Sequence, residues 1–167
     1  MMEISDKVRE KILKDWQNQL LARYPIKPVI EITEYIENCT TKILDKLIET
    51  YNGGSYEGVE EPIDDLMRFL AVDKNLTPGD SISMLLYLKE LFLQSFPDMT
   101  KEEFIKLNNI IDTFARIAFN RYMACREDIF NLRLEEKERE KQMILKAIEN
   151  WMKVDDQIKK GELKLDL

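Results

Sequence analysis

Apolar residues recur along most of this chain at helical rather than strand spacing. Val8, Ile12, Trp16 and Leu20 fall four apart with Leu13 beside them, which predicts a helix over about residues 3–23. Tyr24-Pro25 ends it, because the residue before a proline is pushed out of the helical region. Lys27-Pro28 opens a second helix to about residue 50, with Ile32, Ile36, Cys39, Ile43 and Leu47 on one face. The segment Tyr51 to Gly58 (YNGGSYEG) reads as a flexible connector. No Lys-Ser or Lys-Thr follows its glycines, so it lacks the makings of a phosphate cradle. Pro62 starts a third helix through Phe69 to about Asp73. A fourth, over about 78–96, is launched by Thr77-Pro78-Gly79-Asp80, which offers an N-cap, a proline at the first helical position and an acid at the third. It is apolar on nearly every side, from Ile82 through Leu85, Leu88 and Phe92 to Phe96, so its own domain or a second subunit must enclose it.

From Asp98 to Lys160 there is neither Gly nor Pro, and Thr100 with Glu103 forms a second capping box at the start of a long helix. Ile111, Ala115, Ala118, Tyr122, Cys125, Ile129 and Leu132 alternate four and three apart, a heptad seam whose small members allow close helix approach. Asp112 with Arg116 and Glu135 with Arg139 are spaced for i, i+4 ion pairs. The seam stops at Glu135 to Gln142 (EEKEREKQ), which is wholly polar. Beyond it Met143, Ala147, Trp151, Val154 and Ile158 make a separate apolar stripe flanked by Ile144, Ile148 and Met152. Gly161 is placed to cap the helix. The last six residues (ELKLDL) alternate like a short edge strand, or form a docked tail. The pattern therefore predicts an all-α, single-domain helical bundle with a long C-terminal helix: a domain over 1–134, then a polar connector, an amphipathic helix and a tail over 135–167.

Composition closes off several function classes. A net charge of −7 is wrong for binding nucleic acid and for docking on anionic membrane. No apolar run approaches the ~20 residues of a membrane span. The polar N-terminus (MMEISDKVREKI) has no apolar signal core, so a cytoplasmic protein is expected. The chain contains no histidine. That removes His-ligated haem and zinc, carboxylate-bridged di-iron sites and the Ser-His and Cys-His nucleophile pairs. Asp64-Asp65 and Asp155-Asp156 are adjacent pairs that point to different sides of a helix and cannot converge on one substrate atom. No catalytic residues, metal site or cofactor are expected.

The stretch Phe69 to Arg133 resembles the N-terminal domain of the RsbT co-antagonist proteins, the RsbRD N-terminal family. The resemblance rests on Leu76-Thr77-Pro78 with the apolar run from Ser81 to Glu90, and on Ala118 to Arg133 (AFNRYMACREDIFNLR). Trp16 followed by Arg23-Tyr24-Pro25 is similar to the family's opening helix. The resemblance implies a globin-like helical fold without haem, a homodimer, and a role in bacterial stress signalling through a regulatory protein partner. No strand-and-helix output domain follows within these residues, so a stand-alone sensory domain is the expectation, with a purely structural dimeric adaptor as the alternative.

Candidate residues follow from both readings. Tyr122, Cys125 and Arg126, with Ala118, would face a ligand or a dimer interface, or else simply pack. Arg126 and Glu127 could be a solvated pair, or the arginine could be buried against a carboxylate. Trp16, Tyr87, Phe114 and Tyr122 would line an internal cavity for a small-molecule effector if one exists. Cys125 would be a buried inert thiol, or in a redox reading a thiolate ligand. The stripe of Met143, Ala147, Trp151, Val154 and Ile158 would meet a protein partner, or fold back as core.

Overall fold

In a computed structural model, which describes residues 3–23 and 30–161, the chain is built from five helices, and no strand occurs among the described residues. They are α1 (Asp6–Leu21), α2 (Ile30–Tyr51), α3 (Glu60–Val72), α4 (Pro78–Ser95) and α5 (Lys101–Lys159). The proline turn over Tyr24-Pro25 and Lys27-Pro28, and the ELKLDL tail, lie outside the described residues.

The helix ends follow local chemistry. Ser5 caps α1 by accepting from the Val8 N–H. At α4 the Thr77 hydroxyl accepts from the Asp80 N–H at 3.1 Å and the Asp80 carboxylate accepts from the Thr77 N–H at 3.0 Å, a reciprocal capping box. The Thr77 N–H and the Thr77 hydroxyl, which donates to Asp80 Oδ2 at 2.8 Å, hold the Asp80 carboxyl below its usual range, with Arg23 adding to the effect. Thr100 and Glu103 repeat the box at α5. The YNGGSYEG segment turns the chain out of α2: Gly53 adopts φ +99°, and the Gly54 N–H donates to Glu49 O at 2.9 Å. Gly161, at φ +74°, ends α5 with its N–H on Ile158 O. The third helix begins at Glu60 rather than Pro62, which puts the proline inside the first turn, where no N–H is missed.

Residues Met1–Arg126 form one compact unit and Glu127–Leu167 another. In the first, α1 packs on α2 and α4, and α3 packs on α2 and α4. Ile12, Trp16 and Leu20 of α1, Leu44 and Leu47 of α2, Leu66 and Leu70 of α3, Leu85 and Phe92 of α4, and Ile111, Phe114 and Tyr122 of α5 belong to one buried cluster. Enclosure of α4 is one-sided: Met84, Leu85, Leu88, Leu91 and Phe92 are buried, but Leu86 and Leu93, a heptad apart, stay 37% and 43% exposed.

The seam of α5 runs shorter than its spacing predicts. Ile111, Ala115, Ala118 and Tyr122 are buried and Cys125 and Ile129 half-buried, but Leu132 is 56% exposed. The core therefore ends near Arg126, ahead of the break expected between residues 134 and 135. Among the described residues no helix is long and apolar enough to cross a membrane.

Candidate functional site

The residues nominated for an internal cavity are mostly committed to packing. Trp16, Phe114 and Tyr122 are at most 1% exposed and belong to the core cluster, and Tyr87 is half-buried against it. Their polar tips are satisfied. The Trp16 indole N–H donates to Met84 O of α4 at 2.7 Å, and the Tyr122 hydroxyl donates to Leu76 O at 3.1 Å. Ala118 is fully buried.

Arg126 packs back onto its own unit. It is half-buried, yet its partners are not carboxylates. Its Nε–H donates to the Tyr122 hydroxyl at 3.2 Å and its Nη2 reaches Leu76 O at 3.4 Å, with the guanidinium 5.6 Å from the Tyr122 ring centre. One backbone carbonyl between α3 and α4 thus receives donors from two side chains one turn apart on α5. Glu127 is exposed.

The acid pairs are engaged locally. Asp64 pairs with Arg68 at 2.8 Å, Asp155 with Lys159 at 2.7 Å, and Asp156 with Lys160 at 2.8 Å. Asp112 is held by Lys89 of α4 at 2.5 Å and by Asn108 at 3.1 Å rather than by Arg116, whose Nη2 instead donates to the Thr113 hydroxyl. The Lys89 pairing ties α5 to α4. Neither cysteine is in a disulfide: Cys39 is buried and Cys125 half-buried. Among the described residues, no group of three or more His, Cys, Asp or Glu is placed to hold a metal.

Burial pushes the Cys39 thiol up, and its neighbour Tyr35, one turn back on α2, is affected more strongly. Desolvation, then the charges of Cys39 and Asp65, raise the Tyr35 hydroxyl to about 12. In the fold that hydroxyl donates to Asp65 O at 2.9 Å, which favours the neutral phenol. Above pH ~10 the unfolded chain releases this proton first, so it binds fewer protons than the folded one. Stability must then fall as pH rises from about 10 to about 12. The melting temperature, followed across that range, is expected to drop less steeply in Tyr35→Phe than in the parent chain; parallel curves would refute the assignment.

Two features remain available for binding. The first is an open groove of about 760 Å³ in the first unit, where Arg116, Asn109 and Asn120 surround the apolar faces of Phe119, Ile82 and Tyr56. Sequence inspection passed over it. The legible signal was a polar series at positions 109, 113, 116 and 120, helically spaced along α5.

The second is the stripe on the second unit. Met143 and Trp151 are 71% and 70% exposed, Val154 is 41% exposed, Ala147 is exposed and Ile158 half-buried. Ile144, Ile148 and Met152 beside them are at least half exposed. None of these side chains belongs to the core cluster of the first unit.

An uncharacterized protein of Archaeoglobus fulgidus is 38% identical over 141 residues, covering 84% of this chain and 92% of the relative. No protein-family model matches the chain. No solved structure matches it either.

Proposed function

The chain belongs to the same family as this uncharacterized Archaeoglobus fulgidus protein, and from that premise we propose that it is a non-catalytic regulatory domain, cytoplasmic and homodimeric, that signals through protein–protein contacts. The observation that carries this reading is the exposed run from Met143 to Ile158, large apolar side chains held on a helix outside the core. Contiguous apolar surface of this kind marks interaction sites. The resemblance of Phe69 to Arg133 to the RsbRD N-terminal domains supports a sensory role and a globin-like arrangement of the bundle. A small effector would then occupy the α4–α5 groove, where Arg116 and its asparagine neighbours supply donors beside apolar walls.

A structural adaptor that binds nothing small is the second reading. It is favoured by the tight burial of Trp16, Phe114 and Tyr122, which leaves these aromatics fully used in packing.

A thermal-shift screen separates the two. A metabolite present at one hundred times its dissociation constant stabilises the fold by ~2.7 kcal/mol, and for a chain of this size that is a rise of roughly 5–10 °C. Such a rise with one metabolite class, abolished by Arg116→Ala, supports sensing. A flat screen with a stable complex to another protein supports the adaptor.

A further inference from the structure

We infer that the Met143–Ile158 stripe is closed by a second copy of this chain, the two helices running antiparallel about a two-fold axis near Glu149. This names the partner of the stripe in the function proposed above and rests on that reading.

The charge distribution singles out this unit. Residues 127–161 carry eight Lys and Arg against nine Asp and Glu, a net of −1, whereas residues 1–126 carry 16 against 21, a net of −5. Within the stripe itself the acids lose their excess: residues 143–161 carry four Lys against three Asp and Glu, so two copies meeting there face almost no like-charge repulsion. Asp155 and Asp156 are also neutralised in place by Lys159 and Lys160. The near-zero balance argues equally against an anionic lipid surface, which selects a basic polar face.

The apolar area is sufficient. Seven large apolar side chains between Met143 and Val154 are 41–71% exposed. The five that face or flank the seam, Met143, Ile144, Ile148, Trp151 and Val154, offer on the order of 550 Å² per copy, near the ~600 Å² per partner at the lower end of stable interfaces.

Side-chain size then sets the direction of pairing. Ile144, Ala147, Trp151, Val154 and Ile158 fall alternately three and four apart, the spacing of a two-helix seam. In a parallel pair each residue would meet itself, so Trp151 would stack on Trp151 while Ala147 faced Ala147. That leaves one layer overfilled and the next empty. In the antiparallel pair Ala147 receives the partner's Trp151 and Ile144 receives the partner's Val154, so every central layer joins a large side chain to a smaller one. The same register sets Lys141 beside the partner's Asp155, adding a second cation to the one Lys159 supplies along its own helix. Such an isologous contact closes on itself and does not propagate.

The test is the mass in solution of the full chain by analytical ultracentrifugation, with variants that leave the core untouched. The parent chain is expected at twice 19.8 kDa. Trp151→Glu should weaken association at least tenfold, as should Ala147→Trp, which forces two indoles into one layer. The double variant Ala147→Trp with Trp151→Ala exchanges large and small across each layer and should restore the dimer. A dimer that ignores Trp151→Glu, or a double variant that stays dissociated, overturns this pairing and leaves the proposed regulatory dimer standing. A parent chain that is monomeric at 100 times the working concentration, or that takes up anionic vesicles instead, overturns both the pairing and the dimer in the proposed function.

Discussion

Trp16→Ala is expected to remove 3–5 kcal/mol of folding stability, the range measured for deleting a buried aromatic from a core that cannot collapse around the gap. Trp16 sits mid-way along α1 with Ile12 and Leu20 one turn to either side, all three at 1% exposure or less. It is the largest fully buried side chain in the protein, and its indole N–H holds Met84 O at 2.7 Å. The substitution therefore opens a cavity and also removes a hydrogen bond that ties α1 to α4. For a chain of this length each kcal/mol moves the melting temperature by ~2–4 °C, so circular dichroism should record a fall of roughly 6–20 °C. Trp16→Phe should lie between the parent and the alanine variant, because it keeps most of the apolar contact but loses the donor and part of the ring volume. A fall below about 3 °C for the alanine variant would mean that α1 contributes little to the core.

Tyr122→Ala should cost a similar ~3–5 kcal/mol, and for a second reason besides volume. The Tyr122 hydroxyl stands between Arg126 and Leu76 O, donating to the carbonyl and accepting from the guanidinium. Tyr122→Phe separates the two contributions. Arg126 keeps its own 3.4 Å contact to Leu76 O, so removing the hydroxyl alone should cost ~1 kcal/mol. Combining Tyr122→Phe with Arg126→Ala in a double-mutant cycle should reveal a coupling of roughly 0.5–1.5 kcal/mol. Additive losses would show that the two side chains grip the carbonyl independently. Urea unfolding, with its slope unchanged between variants, is the suitable measurement.

Much of this architecture is legible in the residues because helices announce themselves locally. Thr77-Pro78 with Asp80, and Thr100 with Glu103, specify helix starts through side chains that reach only three positions along the chain, and both boxes form as spaced. The apolar faces of α1 and α2 likewise follow from a period of 3.6. What periodicity cannot report is where a core stops. Ile129 and Leu132 continue the α5 seam by spacing, yet Ile129 is only half-buried and Leu132 is 56% exposed. Burial depends on elements dozens of residues away, which a period along one helix does not report.

The site residues divide in the same manner. Trp16, Phe114 and Tyr122 were recognisable as important aromatics, but their spacing could not separate lining a cavity from filling one. The Arg126 contact was not readable at all. Its acceptor is a backbone carbonyl 50 positions earlier, and a carbonyl has no residue type to signal it. Lys89 displacing Arg116 at Asp112 was hidden for a related reason, since a pairing between helices competes with one along a helix only once both helices are in place. The exposed stripe, by contrast, was legible because it repeats within a single helix.

The two tryptophans fall one to each unit, and their surroundings differ as far as indoles can differ. Trp16 is 0% exposed with its N–H on a carbonyl, while Trp151 is 70% exposed in the middle of the stripe. The chain thus carries two built-in fluorophores that answer separate questions: the emission of one follows the melting of the bundle, and the colour of the other follows whatever comes to cover the stripe.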